Sequence, residues 1–302
     1  MMIQWYPGHM HKANKEFKKI LPQVDLVILV LDARIPFSSD NPLLAKLRGD
    51  KPCIKLLNKS DLADPQALSE WQHLLEQDSS VRTLVCNYQN GSIARLPELC
   101  RSLVPARNNR SAMIYAMIAG IPNVGKSTLI NRIAGRSIAK TGNEAAMTRM
   151  QQRVEISSEL TLIDTPGVLW PNIENSPSGY RLAATGAIRD TALDLQEVAG
   201  FVAEFLLQNH AAVTCERYAL DSVPASETAL LEEIGRRRGC VKAGGKIDFE
   251  KVSRLLISEL RGGELGRMCL EKPDMMEREL AQVEIIRQQK WAKKALRKGA
   301  RK

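Results

Sequence analysis

The stretch "GIPNVGKS", Gly120 to Ser127, has the spacing G-x-x-x-x-G-K-S in full. It lies between a strand-like run, "MIYAMIAG", and a helix-like run, "STLINRIAG". A loop so placed can turn its backbone N–H groups inward around phosphate oxygens, and the helix N-terminus adds partial positive charge. Lys126 would reach the terminal phosphates and Ser127 would ligate Mg²⁺, with Asn123, Val124, Gly125 and Thr128 completing the cradle. Roughly forty residues later comes "DTPG", where a carboxylate for outer-sphere Mg²⁺ binding (Asp164) and a γ-phosphate-sensing glycine amide (Gly167) belong.

A third stretch, "LLNKSDLAD", can read a base. The carboxylate of Asp61 can accept from both guanine N1–H and N2–H₂, a pattern that adenine does not offer. Asn58 would hold the loop, and the Lys59 stem would lie over the ring. A site whose polar groups need those donors rejects an analogue lacking them by roughly 10⁴. GTP is therefore the expected nucleotide. However, "NKSD" precedes the phosphate loop, the reverse of the familiar order. One sheet can hold both if the old chain ends are joined through the polar stretch 101–112 and new ends are opened elsewhere. Termini generally lie at the surface, often close together, so such a circular permutation is tolerated.

Regular elements must place these loops. "VDLVILVL" is a continuous apolar run of the kind found in a parallel strand buried on both faces. "PCIKLLNKSD" and "VRTLVCN" predict further strands. Between them "DPQALSEWQHLLEQ" predicts a helix with Asp64 as N-cap and Pro65 at its first position. "SIARLPELCRSLV" predicts a helix weakened by Pro97. "RVEIS" and "LTLIDTPG" form a hairpin-like pair. Strands alternating with helices over residues 20–168 predict an α/β fold with a mostly parallel sheet and helices on both faces. Past residue 180 only helical spacing remains, in "DLQEVAGFVAEFLLQNH", "SETALLEEIGRRRG" and "DFEKVSRLLISELRGG". The expected organisation is a nucleotide-binding domain over 1–178, a small all-α domain over 179–286 and a basic tail over 287–302.

The 302 residues are 44% hydrophobic and 25% charged, an ordinary globular composition. No apolar run approaches the ~18 residues of a membrane span, and the start lacks the apolar core of a secretory signal. The six cysteines show no metal-ligand spacing, so reduced thiols and a cytoplasmic location are expected. A net charge of +9 points toward a polyanionic partner. Basic residues crowd "RQQKWAKKALRKGARK" from Arg287, with smaller groups at Lys12, Lys15, Lys18 and Lys19 and in "GRRRGCVKAGGK". Such a run can be a solvated terminus or a nucleic-acid-contacting helix.

Together with "WYPGHMHKA", "DARIPFSSDNP", "IAKTG", "MQQ", "DTPGVLWP", "GGKID" and "RGGELGRMCLE", these motifs resemble the circularly permuted GTPases, most closely the ribosome biogenesis GTPase A (YlqF) family. The resemblance spans nearly the whole chain. It implies a circularly permuted P-loop GTPase domain followed by a helical RNA-binding domain. It also implies a slow, particle-stimulated GTPase in late assembly of the large ribosomal subunit, with rRNA and ribosomal proteins as partners and no DNA or membrane. By the same resemblance Thr148 completes Mg²⁺ coordination, although Ala145-Ala146 stand where the family usually has Pro-Gly. Cys86 and Asn87 are near neighbours of guanine. Val168 stands where ordinary GTPases place a water-orienting glutamine, and the resemblance points to His9 instead. Asn123 matches a phosphate-loop asparagine that helps hold K⁺, though a turn role suits it equally. A nucleotide-gated rRNA-binding scaffold, in which hydrolysis is incidental, is the second functional reading. An ATP-dependent RNA remodelling enzyme is disfavoured by Asp61.

Overall fold

The computed structural model describes residues 3–86, 91–104, 113–137 and 152–299, with side chains in the last helix described as far as residue 289. Asn87, Ala145, Ala146, Thr148 and most of the linking stretch 101–112 lie outside the described residues.

An amphipathic helix, α1 (Gly8–Ile20), opens the chain. Its spacing puts Met10, Ala13, Phe17 and Ile20 inside, while Lys12, Lys15, Lys18 and Lys19 face solvent. Strand β1 (Leu26–Asp32) is buried at every position, as its unbroken apolar run requires. Short helices α2 (Pro36–Ser39) and α3 (Pro42–Arg48) lead to β2 (Cys53–Asn58). Helix α4 (Pro65–Leu75) is capped by Asp64, whose side chain accepts from the N–H groups of Gln66 and Ala67. After β3 (Val81–Val85) a 3₁₀ turn, Ser92–Arg95, precedes α5 (Leu96–Leu103). Pro97 therefore sits in the first helical turn, where its missing N–H costs no bond, and it starts this helix rather than weakening it. β4 (Ile114–Gly120), α6 (Lys126–Ala134), β5 (Gln152–Ser157) and β6 (Leu160–Asp164) come next.

The strands form one six-stranded sheet in the order β3-β2-β1-β4-β6-β5, parallel except for β5. The phosphate-loop strand β4 thus lies at the centre, beside the strand that opens the sheet. Register brings Asp32 level with Asn58, Val30 level with Gly120, and Ile118 level with Asp164. All three motifs therefore leave the same carboxyl-terminal edge of the sheet, where ligands of open α/β sheets bind. The permutation changed the connections and kept the edge.

The remainder is helical: α7 (Ser176–Ala184), α8 (Leu195–Asn209), α9 (Ala211–Tyr218), α10 (Glu227–Arg237), α11 (Phe249–Gly262) and α12 (Pro273–Gly299). α8 packs against both α10 and α11; from α11, Val252, Leu256, Ile257 and Leu260 are buried. Between α11 and α12 the chain returns to the sheet domain. The Met268 N–H donates to Leu62 O (3.0 Å) and the Leu270 N–H to Arg34 O (2.8 Å). Glu271 is fully buried there and accepts from the Ser38 N–H (3.0 Å) and hydroxyl, with Arg181 3.4 Å away. Among the described residues no helix is long and apolar enough to cross a membrane.

Candidate nucleotide-binding site

The phosphate loop is shaped by local geometry. Gly125 takes a left-handed φ of 98° as the residue before α6, and Asn123 does so at 56°. Lys126 is buried, and its Nζ donates to Gly120 O (3.1 Å) and Ile121 O (2.8 Å). Burial pulls its pKa down to about 8, although the Asp164 charge acts the other way. Ser127 and Thr128 occupy the first turn of α6, half-buried, where backbone N–H groups lack intrahelical partners.

Asp164 is 1% exposed, and neither carboxylate oxygen makes a hydrogen bond of good geometry. Burial pushes its pKa up to about 6, against the charge of Lys126 and a weaker pull from the Thr165 N–H. Such an orphaned, desolvated carboxylate fits a divalent cation, which would favour its ionised form. Mg²⁺ here would be held by Ser127, with Asp164 as the expected outer-sphere group, and would neutralise charge on the phosphates. Among the described residues no group of three or more His, Cys, Asp or Glu could hold a metal unaided.

The base-reading loop meets the phosphate loop directly. Asn58 is fully buried and its Nδ2 donates to Val124 O at 2.7 Å, across a sequence separation of 66 residues. Lys59 takes a left-handed φ of 59°, and its Nζ donates to Asp32 at 3.0 Å. Asp32 also holds Arg34 bidentately, at 2.9 and 2.8 Å. Burial alone would raise the Asp32 pKa, but Arg34 and Lys59 overcome it and hold the carboxyl well below its usual range. Asp61 points outward: it is exposed, and no hydrogen bond or ion pair among the described residues occupies its carboxylate. Cys86 is buried and joins the loop through its backbone O, which accepts the Ser60 N–H at 3.3 Å. Asp32 and Arg34 were visible in the sequence only as part of the "DAR" motif. Their support of Lys59 had no signal of its own.

The chain matches known proteins over most of its length. A family profile described as "50S ribosome-binding GTPase" matches residues 115–214, from β4 onward, leaving the base-reading loop ahead of it. The chain is 43% identical to ribosome biogenesis GTPase A of Bacillus licheniformis, over 91% of this chain and 100% of that protein. The Bacillus cereus protein of the same name is 40% identical, over 95% and 99%. Among solved structures, GNP-bound YlqF from T. maritima is 25% identical with a TM-score of 0.61, over 87% of this chain and 98% of that one. The chain belongs to the ribosome biogenesis GTPase A family. It is thus a GTPase of ribosome assembly with a permuted P-loop fold.

In this permuted GTPase the turn after Gly167 is crowded. A Cβ on Gly167 would lie 2.8 Å from Pro122 Cα and 3.1 Å from Lys126 Nζ. Gly167→Ala should therefore push the turn off the phosphate loop, costing about 1–3 kcal/mol of stability. The affinity preference for a GTP analogue over GDP should fall by about tenfold, since a γ-phosphate needs this turn close. Paired thermal melts and nucleotide titrations would show it; an unchanged preference would mean that Gly167 does not sense the γ-phosphate.

Val168 is fully buried, and its N–H donates to Gly120 O at 3.2 Å. Its side chain is in the core and takes no part in orienting water. The N-terminal segment runs beside residues 169–179. The Leu169 N–H donates to Met10 Sδ (3.4 Å), Gln4 exchanges two hydrogen bonds with Ile173 (3.0 and 3.1 Å), and Ile3 packs on Gly179. His9 is exposed and precedes Met10, whose sulfur meets the Leu169 N–H just past the "DTPG" turn. Burial, and then the charge of Arg189, hold the His9 pKa below the usual 6.5, so the imidazole is neutral near pH 7. Asn123 donates through Nδ2 to Gly186 O at 2.9 Å, which ties the phosphate loop to the segment after α7 and gives Asn123 a structural role.

Proposed function

We propose that the GTP state of this protein binds a precursor of the large ribosomal subunit and that hydrolysis releases it. The 2.7 Å contact from Asn58 to Val124, uniting base and phosphate loops, is the observation that carries this reading. In it Asp61, Asn58 and Lys59 read guanine, beside Cys86 and Asn87. The loop 123–128 cradles the phosphates, Ser127, Asp164 and Thr148 serve Mg²⁺, and Asn123 adjoins a K⁺ ion. His9 orients the attacking water. Only a γ-phosphate would hold Thr148 and Gly167 together, so binding to the particle would depend on the nucleotide. The test is co-sedimentation with large-subunit precursors in a non-hydrolysable GTP analogue and in GDP. Equal binding in both states, or a preference for small subunits, would leave only the scaffold reading.

Charge pairing supports one rRNA-binding surface over another. In the 236–238 run, Arg236 pairs with Glu232 and Glu233, Arg237 with Asp221, and Arg238 lies near Glu259. Arg287, at the head of the tail, pairs with Glu174 and Glu284. The four lysines on the outer face of α1 make no ion pair among the described residues. They are the better candidates for phosphate contacts, with the tail beyond 287 as a second surface. Replacing all four by glutamine should lower the slope of log affinity against log salt by about 3, at roughly 0.7–0.9 per contact. GTP affinity should stay put, because these residues face away from the core. A salt titration of RNA binding that kept its wild-type slope would remove α1 from the interface.

A further inference from the structure

The loop bearing Asp61 does not stand by itself. Helix α11 is capped by Gly263, whose left-handed φ of +80° turns the chain back toward that loop. A Cβ there would come within 2.5 Å of Leu62 Cδ2, which would have to move, and the positive φ would strain any other residue. Four residues on, Arg267 donates through Nε to Ala63 O (2.9 Å) and through Nη2 to Ser60 O (3.1 Å). The Met268 N–H donates to Leu62 O at 3.0 Å. Residues 60, 62 and 63 are thus each gripped by one short segment more than 200 positions away. Asp61, between them, is left facing outward.

We propose that Arg267 is a positioning residue for base recognition: its guanidinium, supplied by the helical region, holds the Ser60–Ala63 loop in the orientation that lets Asp61 read guanine. This rests on the reading of Asp61 as the base acceptor. The planar fork suits the role, because it fixes two carbonyls at a set separation where a flexible ammonium would hold one. A carboxylate that must accept N1–H and N2–H₂ together depends strongly on orientation, since hydrogen bonds weaken steeply off line. A base offering only N1–H depends on it less. Loosening the loop should therefore cost guanine more than hypoxanthine. By reciprocity, base occupancy would tighten the segment that ends α11, linking nucleotide to the helical region.

The test uses the full chain and compares GDP with inosine diphosphate, which lacks the 2-amino group, by competition against a fluorescent GDP. Arg267→Ala and Arg267→Gln should each weaken GDP by about tenfold, as the loss of one or two charged hydrogen bonds predicts. The preference for GDP over inosine diphosphate should shrink by about threefold or more, with Arg267→Lys intermediate. A merely structural loss would change the active fraction and leave that ratio alone. Asp61→Asn serves as the reference. If it abolishes the preference while both Arg267 variants keep the wild-type ratio, the positioning role is overturned and the base reading stands. If Asp61→Asn itself leaves GDP binding and the ratio unchanged, the base reading fails and takes this proposal with it.

Discussion

Asp61→Asn will lower GTP affinity on the order of a thousandfold, about 4 kcal/mol, and will give the protein a preference for xanthine nucleotides. In the proposed site the wild-type carboxylate would accept from both edge donors of guanine. An asparagine presents an amide N–H₂ to the guanine N2–H₂, donor against donor, whereas the 2-oxo group of xanthine accepts it. The folded state should hardly change, because Asp61 is exposed. Asn58 and Lys59, which shape the loop from within, keep their partners Val124 and Asp32. Titration of wild type and variant with GTP and xanthosine triphosphate reads the effect. Equal GTP affinity in the two would sink the assignment of 58–61 as the base-reading loop.

His9→Ala will reduce GTP turnover in the presence of large-subunit particles by roughly a hundredfold, within the usual range for a positioned acid–base group. GTP affinity should change little, the pattern of an interaction made mainly in the transition state. Val168 cannot substitute, being buried with its side chain in the core. The pH profile supplies a second reading. A neutral imidazole can accept a hydrogen bond from water and an imidazolium cannot, so activity should fall as His9 protonates. Burial and Arg189 hold its pKa below the ordinary 6.5; the acid limb should therefore lie below that pH. Removing the cation raises the pKa, so Arg189→Ala should shift the limb upward. Single-turnover rates across pH would decide it. A His9→Ala variant with wild-type rates would assign the water to another group.

Much of the site is local, and local chemistry is legible in a chain. The spacing of Gly120, Gly125, Lys126 and Ser127 sets a turn and a helix start whose backbone donors need no distant help. The cap at Asp64 and the apolar run of β1 are likewise complete within a few residues. The order of "NKSD" before "GIPNVGKS" was enough to infer permutation, because each motif must leave the same sheet edge wherever the chain begins. The family resemblance added His9, Thr148 and the ribosomal context, which no spacing rule supplies.

Tertiary structure decided what touches what across long separations. Nothing periodic in the sequence announces that Met10 meets Leu169, 159 positions on, or that Ser38 meets Glu271 across 233. Those contacts arise from strand order and register, which place the ends of β1, β2, β4 and β6 side by side and let remote segments lie over them. Charge behaved the same way. The arginines at 236–238 read as a basic patch until the fold supplied Glu232, Glu233 and Asp221 as partners, whereas the α1 lysines found none among the described residues. Asn123 shows the limit most clearly. Its type and position in the loop suited a turn or a cation site alike, and the bond to Gly186 O arises only because the segment after α7 packs against the phosphate loop. A sequence fixes which groups a loop can offer; the neighbours that orient or neutralise them are set by packing of the whole chain.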